Sequence, residues 1–192
     1  MIVWADEGLI LSARRHGEND AIVEALTAAH GRHAGVVKGG GGRRMAGLQP
    51  GATVALEWRA RLEGHLGALR IEPVRDRAGA IMAEPDALAA LASAAALLSA
   101  YLPEREPMPA VHAATEALFD ALAAGPGWAP VWAPGWAPGW PPGWVEAYAK
   151  WELGLLAALG FGLDLDACAA TGATQELVWV SPKSGRAVCR AA

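Results

Sequence analysis

The sequence is poor in cysteine and lacks the long apolar segment that a membrane span requires. Only two of its 192 residues are Cys, which excludes a disulfide framework and indicates a reducing compartment. Gly, Pro or charged residues interrupt every apolar stretch before it reaches spanning length, so no membrane span is expected. The N-terminus carries acids before any base and no small-residue cleavage site, which argues against a secretory signal. We therefore expect a cytoplasmic protein without membrane contact.

The sequence also lacks the motifs of the common enzyme classes. It contains no HExxH, no GxSxG, no phosphate loop ending in GK[ST] and no paired carboxylates in a distinctive setting. The histidines within residues 1–77 are not spaced as metal ligands are. These absences predict a protein that binds rather than catalyses.

Charge is present in both signs but is divided unequally along the chain. Residues 1–77 carry 11 Lys and Arg against 9 Asp and Glu, whereas residues 78–192 carry 5 against 11. The overall charge of −4 therefore hides a positive N-terminal part and a negative remainder. Such asymmetry suggests that the first part faces a polyanion and that the second makes protein contacts.

The N-terminal part, residues 1–77, reads as short strands separated by turns. One segment alternates apolar and polar residues with a period of two, since Val54, Leu56 and Trp58 are interleaved with polar or small residues. The predicted strands are Gly8–Ala13, Ala21–Thr27, Gly31–Lys38, Thr53–Arg61 and Leu66–Glu72. Five strands with hardly a helix between them favour a small antiparallel barrel over βαβ units.

After Arg77 the composition changes to Ala and Leu, and apolar residues recur at helical spacing. The predicted stripes are Leu88, Leu91, Ala95, Leu98 and Leu102; Val111, Thr115, Leu118 and Leu122; and Tyr148, Trp151, Leu155 and Leu159. We therefore expect an α+β chain of two domains, a five-stranded barrel over residues 1–77 and a helical domain over residues 78–192.

A four-residue repeat of Trp, Pro and Gly occupies residues 126–144 and holds five of the nine Trp. Its composition favours linked turns or extended structure. The tryptophans could form a stacking ladder for bases. We favour an expanded surface loop, because no basic residue lies within the repeat to hold phosphates and because long loops are tolerated.

Basic residues of the positive part are the candidate nucleic-acid ligands. Four glycines at residues 39–42 are flanked by bases, and glycine lets a backbone approach a phosphate closely. The alternative is a flexible hairpin with solvated side chains. An open barrel face is the usual place for a single strand, and the residues predicted to contact DNA there are Arg14, Arg15, Lys38, Arg43, Arg44, Arg59 and Arg61.

The two cysteines lie in a predicted hairpin over residues 166–192. A zinc ribbon needs two CxxC pairs to complete its tetrahedron of thiolates. Here Cys168 and Cys189 are followed at the second ligand position by Thr171 and Ala192. We therefore expect a degenerate zinc-ribbon-like hairpin that keeps its shape without metal, and no other cofactor.

Several segments in a fixed order resemble the RecO family of bacterial recombination mediators, in detail most closely its alphaproteobacterial branch. Each motif is weak alone, but together they extend over nearly the whole chain. The matching segments are residues 6–11 (DEGLIL), 16–23 (HGENDAIV), 30–39 (HGRHAGVVKG), 48–51 (LQPG), 148–162 (YAKWELGLLAALGFG), 164–168 (DLDAC), 171–172 (TG) and 180–186 (VSPKSGR).

The resemblance implies an N-terminal OB-fold and a helical domain carrying a zinc-ribbon-like insertion. It implies binding to single- and double-stranded DNA, annealing of complementary strands, and contact with the acidic tail of the single-stranded DNA-binding protein. It further implies loading of RecA onto coated strands together with RecR, without nucleotide hydrolysis, in association with the nucleoid. Relatives usually continue beyond the equivalent of Ala192, so the resemblance suggests a C-terminally truncated helical domain.

Two alternatives remain open on the sequence alone. The first is another OB-fold protein that coats single-stranded DNA or RNA and has no mediator activity. The second is a zinc-dependent nucleic-acid enzyme. The predicted helical domain with its hairpin favours the mediator over the first alternative, and metal analysis would decide the second.

Overall fold

The computed structural model describes residues 1–42, 47–62, 64–125 and 143–192. Its N-terminal part is a five-stranded sheet, as the short apolar runs predict. The strands are β1 (Ile2–His16), β2 (Asp20–Thr27), β3 (Gly31–Val37), β4 (Thr53–Ala60) and β5 (Ala68–Arg75). Four of them agree with the predicted segments to within a few residues, whereas β1 is far longer than predicted.

The length of β1 allows the sheet to close on itself. Its first half pairs antiparallel with β4, from Ile2 opposite Ala60 to Leu9 opposite Thr53. Its second half pairs antiparallel with β2 as far as His16, after an irregularity in the register near Ile10. The strands follow the order β1-β2-β3-β5-β4, and β3 and β5 run parallel where they meet. Closure removes the free edges that an open sheet would expose.

The inward residues of β4 form the centre of the barrel core. Val54, Leu56 and Trp58 are buried, as the period of two predicts. The indole Nε1 of Trp58 donates to the backbone oxygens of Ala34 and Leu66, at 3.1 and 3.2 Å. A buried tryptophan therefore has its polar atom satisfied while its ring fills the barrel.

In the described part of the chain four helices follow the sheet: α1 (Ala78–Ile81), α2 (Pro85–Tyr101), α3 (Pro109–Ala124) and α4 (Trp144–Ala158). Both α2 and α3 begin with proline, whose fixed φ suits the first helical turn. The predicted stripe of α3 is buried along its whole length. In α2 the buried stripe includes Ala87, and the predicted Leu88 is exposed instead. Alanine is apolar and small, so in this Ala-rich helix Ala87 can take the buried position that the pattern assigns to its neighbour Leu88.

A buried arginine joins α3 to the barrel. Arg77 is only 2% exposed, and its guanidinium donates to the backbone oxygen of Gly51 and to the hydroxyl of Thr53, at 3.1 and 2.7 Å. It also donates to Asp120 of α3, and Glu116 lies 3.5 Å away. Charge and hydrogen-bonding capacity are thus both satisfied, which a buried arginine requires.

A second polar cluster joins α2 to β2 and β3. Glu24 of β2 forms an ion pair with Arg32 of β3 and accepts a 2.6 Å hydrogen bond from the Ser99 hydroxyl. Arg32 also donates to the backbone oxygen of Leu102, at 3.0 Å. The end of α2 is therefore held against the outer surface of β3.

The chain divides into two compact units, Met1–Tyr148 and Ala149–Ala192. The first holds the sheet with α1 to α3. The second contains a hairpin of β6 (Leu177–Val180) and β7 (Ala187–Cys189), paired antiparallel as predicted. The predicted domain boundary after residue 77 stays a prediction. Residues 126–142, which make up most of the Trp/Pro/Gly repeat, lie outside the described residues.

Among the described residues, every helix falls short of the length and hydropathy that crossing a bilayer demands.

Candidate nucleic-acid interface

A groove of about 780 Å³ runs over the outer surface of the barrel across β4 and β5. Its lining combines apolar side chains, including Leu69 and Ile71, with the basic side chains of Lys38, Arg59 and Arg70. The structure thus brings two of the predicted DNA ligands, Lys38 and Arg59, into one cleft. Leu69 and Ile71 lie opposite the buried Trp58 and Leu56 and face the barrel core. The outer side of the groove is therefore basic, which suits the phosphates of a nucleic-acid strand.

The register of the sheet explains how these residues meet. Arg59 lies opposite Ala68, and Glu57 lies opposite Arg70, so all four side chains share the outer face of β4 and β5. Directly opposed residues of a sheet point to the same side. Arg70 was not among the predicted ligands, although the alternation of Leu69 and Ile71 with Arg70 in the sequence already places it on the outer face.

The same face extends around the barrel to Arg14. Arg14 is opposite Ile22, Ile22 is opposite Val36, and Val36 is opposite Ala68. At about 4.8 Å per strand, Arg14 lies roughly 19 Å from Arg59 along this row. Arg14 is exposed on this face, but the buried Ile22 lies between it and the groove.

The remaining predicted ligands have different positions. Arg15 alternates to the other face of β1 but is exposed because the strand ends there, and Arg61 is exposed just after β4. Arg43 and Arg44 lie outside the described residues. Contact of any of these residues with DNA stays a prediction.

Every basic residue of the groove is already paired with a carboxylate. Lys38 lies 3.0 Å from Asp20 and Arg70 lies 3.1 Å from Glu72, while Arg59 pairs with Glu57. The side chains of the three bases are between 57% and 83% exposed. Exposed pairs of this kind contribute about 0–1 kcal/mol. A phosphate can therefore replace the carboxylate at little energetic cost.

Asp20 also organises the glycine-rich connection that follows β3. Hydrogen bonds from the backbone N–H of Gly39 and from Lys38 lower the pKa of Asp20 below its usual value. The N–H of Gly41 donates to the backbone oxygen of Asn19 at 2.8 Å, and a Cβ on Gly41 would meet the backbone oxygen of Asp20 at 2.6 Å.

Three of the four glycines already have acceptors for their backbone N–H groups, since that of Gly40 donates to the backbone oxygen of Val37 at 3.2 Å. The backbone N–H groups of Gly39 and Gly41 are occupied by the neighbouring β1–β2 turn, so they are not available to a phosphate. Glycine is required at residue 41 because the connection packs against the turn.

Each thiol of the cysteine hairpin has a hydrogen-bonding partner within the hairpin. The backbone N–H of Cys189 donates to Sγ of Cys168 at 3.2 Å, and the Thr171 hydroxyl lies 3.3 Å from Sγ of Cys189. Hydrogen bonds from the Thr171 hydroxyl and from the Cys189 N–H lower the pKa of Cys168 to about 6. The protein itself therefore supplies the donors that stabilise a thiolate.

This donor set does not fit a structural zinc ion. Such an ion takes four thiolate or imidazole ligands, whereas Thr171 offers a hydroxyl and Ala192 offers no side-chain donor. In the part of the chain that the structure describes, no three His, Cys, Asp or Glu side chains come together as a metal site would need.

Comparison with known proteins gives consistent matches at both ends of the chain. Residues 1–77 match the family described as "Recombination protein O N terminal", and residues 139–192 match "Recombination protein O C terminal". A protein of Rhodospirillum rubrum named "DNA repair protein RecO" is 51% identical over the whole chain, which covers 72% of that relative. The protein of the same name from Dinoroseobacter shibae is 50% identical over 100% of the chain, which covers 73% of that relative. The one from a Ruegeria species is 50% identical over 98% of the chain, which covers 72% of that relative.

Proposed function

The chain belongs to the RecO family of DNA repair and recombination proteins, and from this premise we propose that it is a non-enzymatic recombination mediator. It binds single- and double-stranded DNA, anneals complementary strands, and with RecR helps to load RecA onto strands coated by the single-stranded DNA-binding protein, whose acidic tail it contacts. We place this activity in the cytoplasm, at the nucleoid. The observation that carries the DNA-binding part is the groove in which Lys38, Arg59 and Arg70 converge.

The proposal assigns a separate role to each part of the chain. Residues 1–77 form an OB-fold that binds DNA, and its paired, exposed bases exchange carboxylates for phosphates readily. Residues 78–192 form a helical domain with a degenerate ribbon at residues 166–192, and their negative charge suits protein contacts rather than DNA coating. Weak, salt-sensitive phosphate contacts favour a mediator, because a mediator must release strands as well as hold them.

The decisive experiment is annealing of complementary oligonucleotides that are first coated with single-stranded DNA-binding protein. We expect this protein to accelerate annealing of the coated strands and to bind both single strands and duplex. An OB-fold protein that only coats single strands would leave annealing unchanged or slow it. That result would replace the proposed function with the alternative.

The hairpin is expected to hold its shape without metal. A chelator should leave the thermal midpoint of the protein unchanged, because the thiols are satisfied by Thr171 and by the backbone of Cys189. Replacing Cys168 and Cys189 together by Ser should lower the free energy of unfolding by about 1 kcal/mol, as ordinary small changes do.

Elemental analysis of the purified protein provides the independent check on the hairpin. Stoichiometric zinc that the double serine variant loses would contradict the metal-free hairpin and would favour the zinc-dependent alternative.

A further inference from the structure

A second cavity of the barrel, of about 250 Å³, is lined by aromatic rings and one arginine. The rings are those of Trp4, His30, His33 and Trp58, and the arginine is Arg105. These residues come from β1, the β2–β3 turn, β3, β4 and the segment after α2. None of them is one of the three basic residues of the groove.

The rings form a continuous stack closed by one edge-on imidazole. The rings of Trp4 and His30 are parallel to within 5° with centroids 3.9 Å apart, and Trp58 stacks on Trp4 at 5.7 Å. His33 stands edge-on to both tryptophans, at 4.9 and 5.4 Å. Trp58 is only 1% exposed, so a flat ligand entering the cavity meets the half-buried rings of Trp4 and His30, to which aromatic groups are attracted.

Two polar contacts hold the stack in place. Asp6 lies 3.4 Å from Nδ1 of His30 and also accepts a hydrogen bond from the backbone N–H of Ala29. Burial raises the pKa of Asp6, but hydrogen bonds from Ala29, Glu7 and His30 outweigh it and lower that pKa below its usual value. Asp6 is thus an ionised anchor for His30.

Arg105 is fixed at the rim of the cavity by an unusual backbone. Its φ is +64°, and its N–H donates to the backbone oxygen of Arg32 at 2.9 Å. The next residue, Glu106, lies so close to β3 that a Cβ on Gly31 would meet its backbone oxygen at 2.0 Å. A non-glycine residue with positive φ is strained and needs surroundings that hold it.

The guanidinium of Arg105 offers positive charge without an acidic partner. It lies 5.8 Å from the centre of the Trp58 ring and donates to the backbone oxygen of His65 at 2.9 Å. Among the described residues no carboxylate forms an ion pair with it, unlike the three bases of the groove. Its charge is therefore available to an anion at the cavity mouth.

The wall of the cavity also contains an unsatisfied polar atom. Nδ1 of His33 is buried and has no hydrogen-bond partner in the described part of the chain, and His33 as a whole is 8% exposed. Burial, then the charges of Arg105 and His30, lower the pKa of His33. The lowered pKa favours the neutral imidazole, so His33 adds an uncharged ring edge to the aromatic wall.

We infer that this cavity is a subsite for one unpaired nucleobase of a DNA single strand, which packs against the half-buried rings of Trp4 and His30 with its phosphate on Arg105. The inference rests on the proposed function and assigns part of it, the preference for single strands, to named residues. The volume lies below that of sites for drug-sized ligands, so the cavity suits one base rather than a base pair. The positive charge of Arg105 disfavours a cation as the occupant of the aromatic wall.

The test compares strands that differ only in whether they carry bases. Fluorescein-labelled oligothymidylate, an abasic strand of the same length and charge, and a duplex are titrated with the wild-type protein and with Trp4→Leu. Stacking of a base on an aromatic side chain accounts for roughly a tenfold or larger change in affinity. We expect Trp4→Leu to weaken binding of oligothymidylate about tenfold, with an unchanged salt dependence, and to leave the abasic strand and the duplex unaffected.

Three further variants separate the subsite from general damage. Trp179→Leu makes the same substitution at a tryptophan that is 56% exposed on β6 and should change nothing. Trp4→Phe keeps a ring and should restore most of the affinity for oligothymidylate. Arg105→Gln lies at the rim rather than in the core and should reduce the salt slope for single strands by about 0.7, the amount expected for one phosphate contact.

Defined outcomes would overturn the inference. The first is a folded Trp4→Leu variant that loses the same affinity for single strands and for duplex, and the second is a variant that loses no affinity for oligothymidylate. The third is displacement of oligothymidylate by thymidine monophosphate at equal base concentration, which would make a free nucleotide the ligand. Failure of the wild-type protein to bind any DNA would instead contradict the proposed function, so the two failures are distinguishable.

Discussion

Replacing Arg77 with Ala is expected to lower the free energy of unfolding by about 3–5 kcal/mol, the range found when one partner of a buried ion pair is removed. The side chain is almost fully buried and serves both the barrel and α3. Its removal leaves the Thr53 hydroxyl and the Gly51 carbonyl without their donor and opens a cavity beside them. Such a loss is a large fraction of the roughly 5–15 kcal/mol that stabilises a typical domain.

The chain provides a matched control for this substitution. Arg75 forms an ion pair with the same carboxylate, Asp120, at 2.8 Å, but its side chain is 54% exposed. Arg75→Ala should therefore change the free energy of unfolding by less than about 1 kcal/mol. Urea denaturation of both variants measures the difference, with the midpoint reporting stability and the slope reporting the surface exposed.

A double-mutant cycle with Asp120→Asn identifies the source of the loss. If the buried charge pair is responsible, removing Asp120 and Arg77 together should lower stability by clearly less than the two separate losses combined. Equal losses for Arg77→Ala and Arg75→Ala would show that burial of the guanidinium does not matter and would contradict the prediction.

The sequence predicts those parts of the fold whose burial pattern is local. β4 is recognisable because Val54, Leu56 and Trp58 alternate with outward residues, and α3 because its buried stripe follows helical spacing from Pro109 onward. The first half of β1 could not be recognised in this way. Residues 2–5 form a short apolar run, IVWA, followed by two acids, so they lack the alternation that marks a half-buried strand. Their strand conformation comes from pairing with β4.

The candidate sites show the same division. Lys38 and Arg59 were predicted from the positive charge of residues 1–77, and the register then brings them into one groove. The aromatic cavity could not be predicted, because Trp4, His30, Trp58 and Arg105 come from distant segments that share no local pattern. Their proximity depends on closure of the barrel and on the segment that packs against β3 after α2.

Replacing Lys38, Arg59 and Arg70 together by Gln is expected to reduce the dependence of log K on log salt by about two for single strands and by close to three for duplex, because each phosphate contact contributes about 0.7 and 0.9, respectively. Affinity at low salt should fall by orders of magnitude, whereas at high salt the variant and the wild type should converge. The fold should persist, because all three side chains are exposed.

Substituting the carboxylates of the groove should increase the affinity for DNA, whereas substituting its basic residues should decrease it. Glu57 and Glu72 compete with phosphate for Arg59 and Arg70, so Glu57→Gln with Glu72→Gln should tighten binding to both forms of DNA at low salt. Asp164→Asn with Asp166→Asn also removes two exposed acidic charges, but from the hairpin unit, and is the control for net charge alone.

Titrations at several salt concentrations decide whether this groove is the phosphate site. A triple variant that keeps the wild-type salt slope would remove the groove from the interface and would leave the remaining predicted bases, Arg14, Arg15, Arg43, Arg44 and Arg61, to account for binding. A reduced slope in the triple variant with an unchanged preference for oligothymidylate over an abasic strand would show that charge and base recognition reside in different parts of the barrel. That separation is expected, because the basic residues of the groove and the aromatic residues of the cavity are different residues.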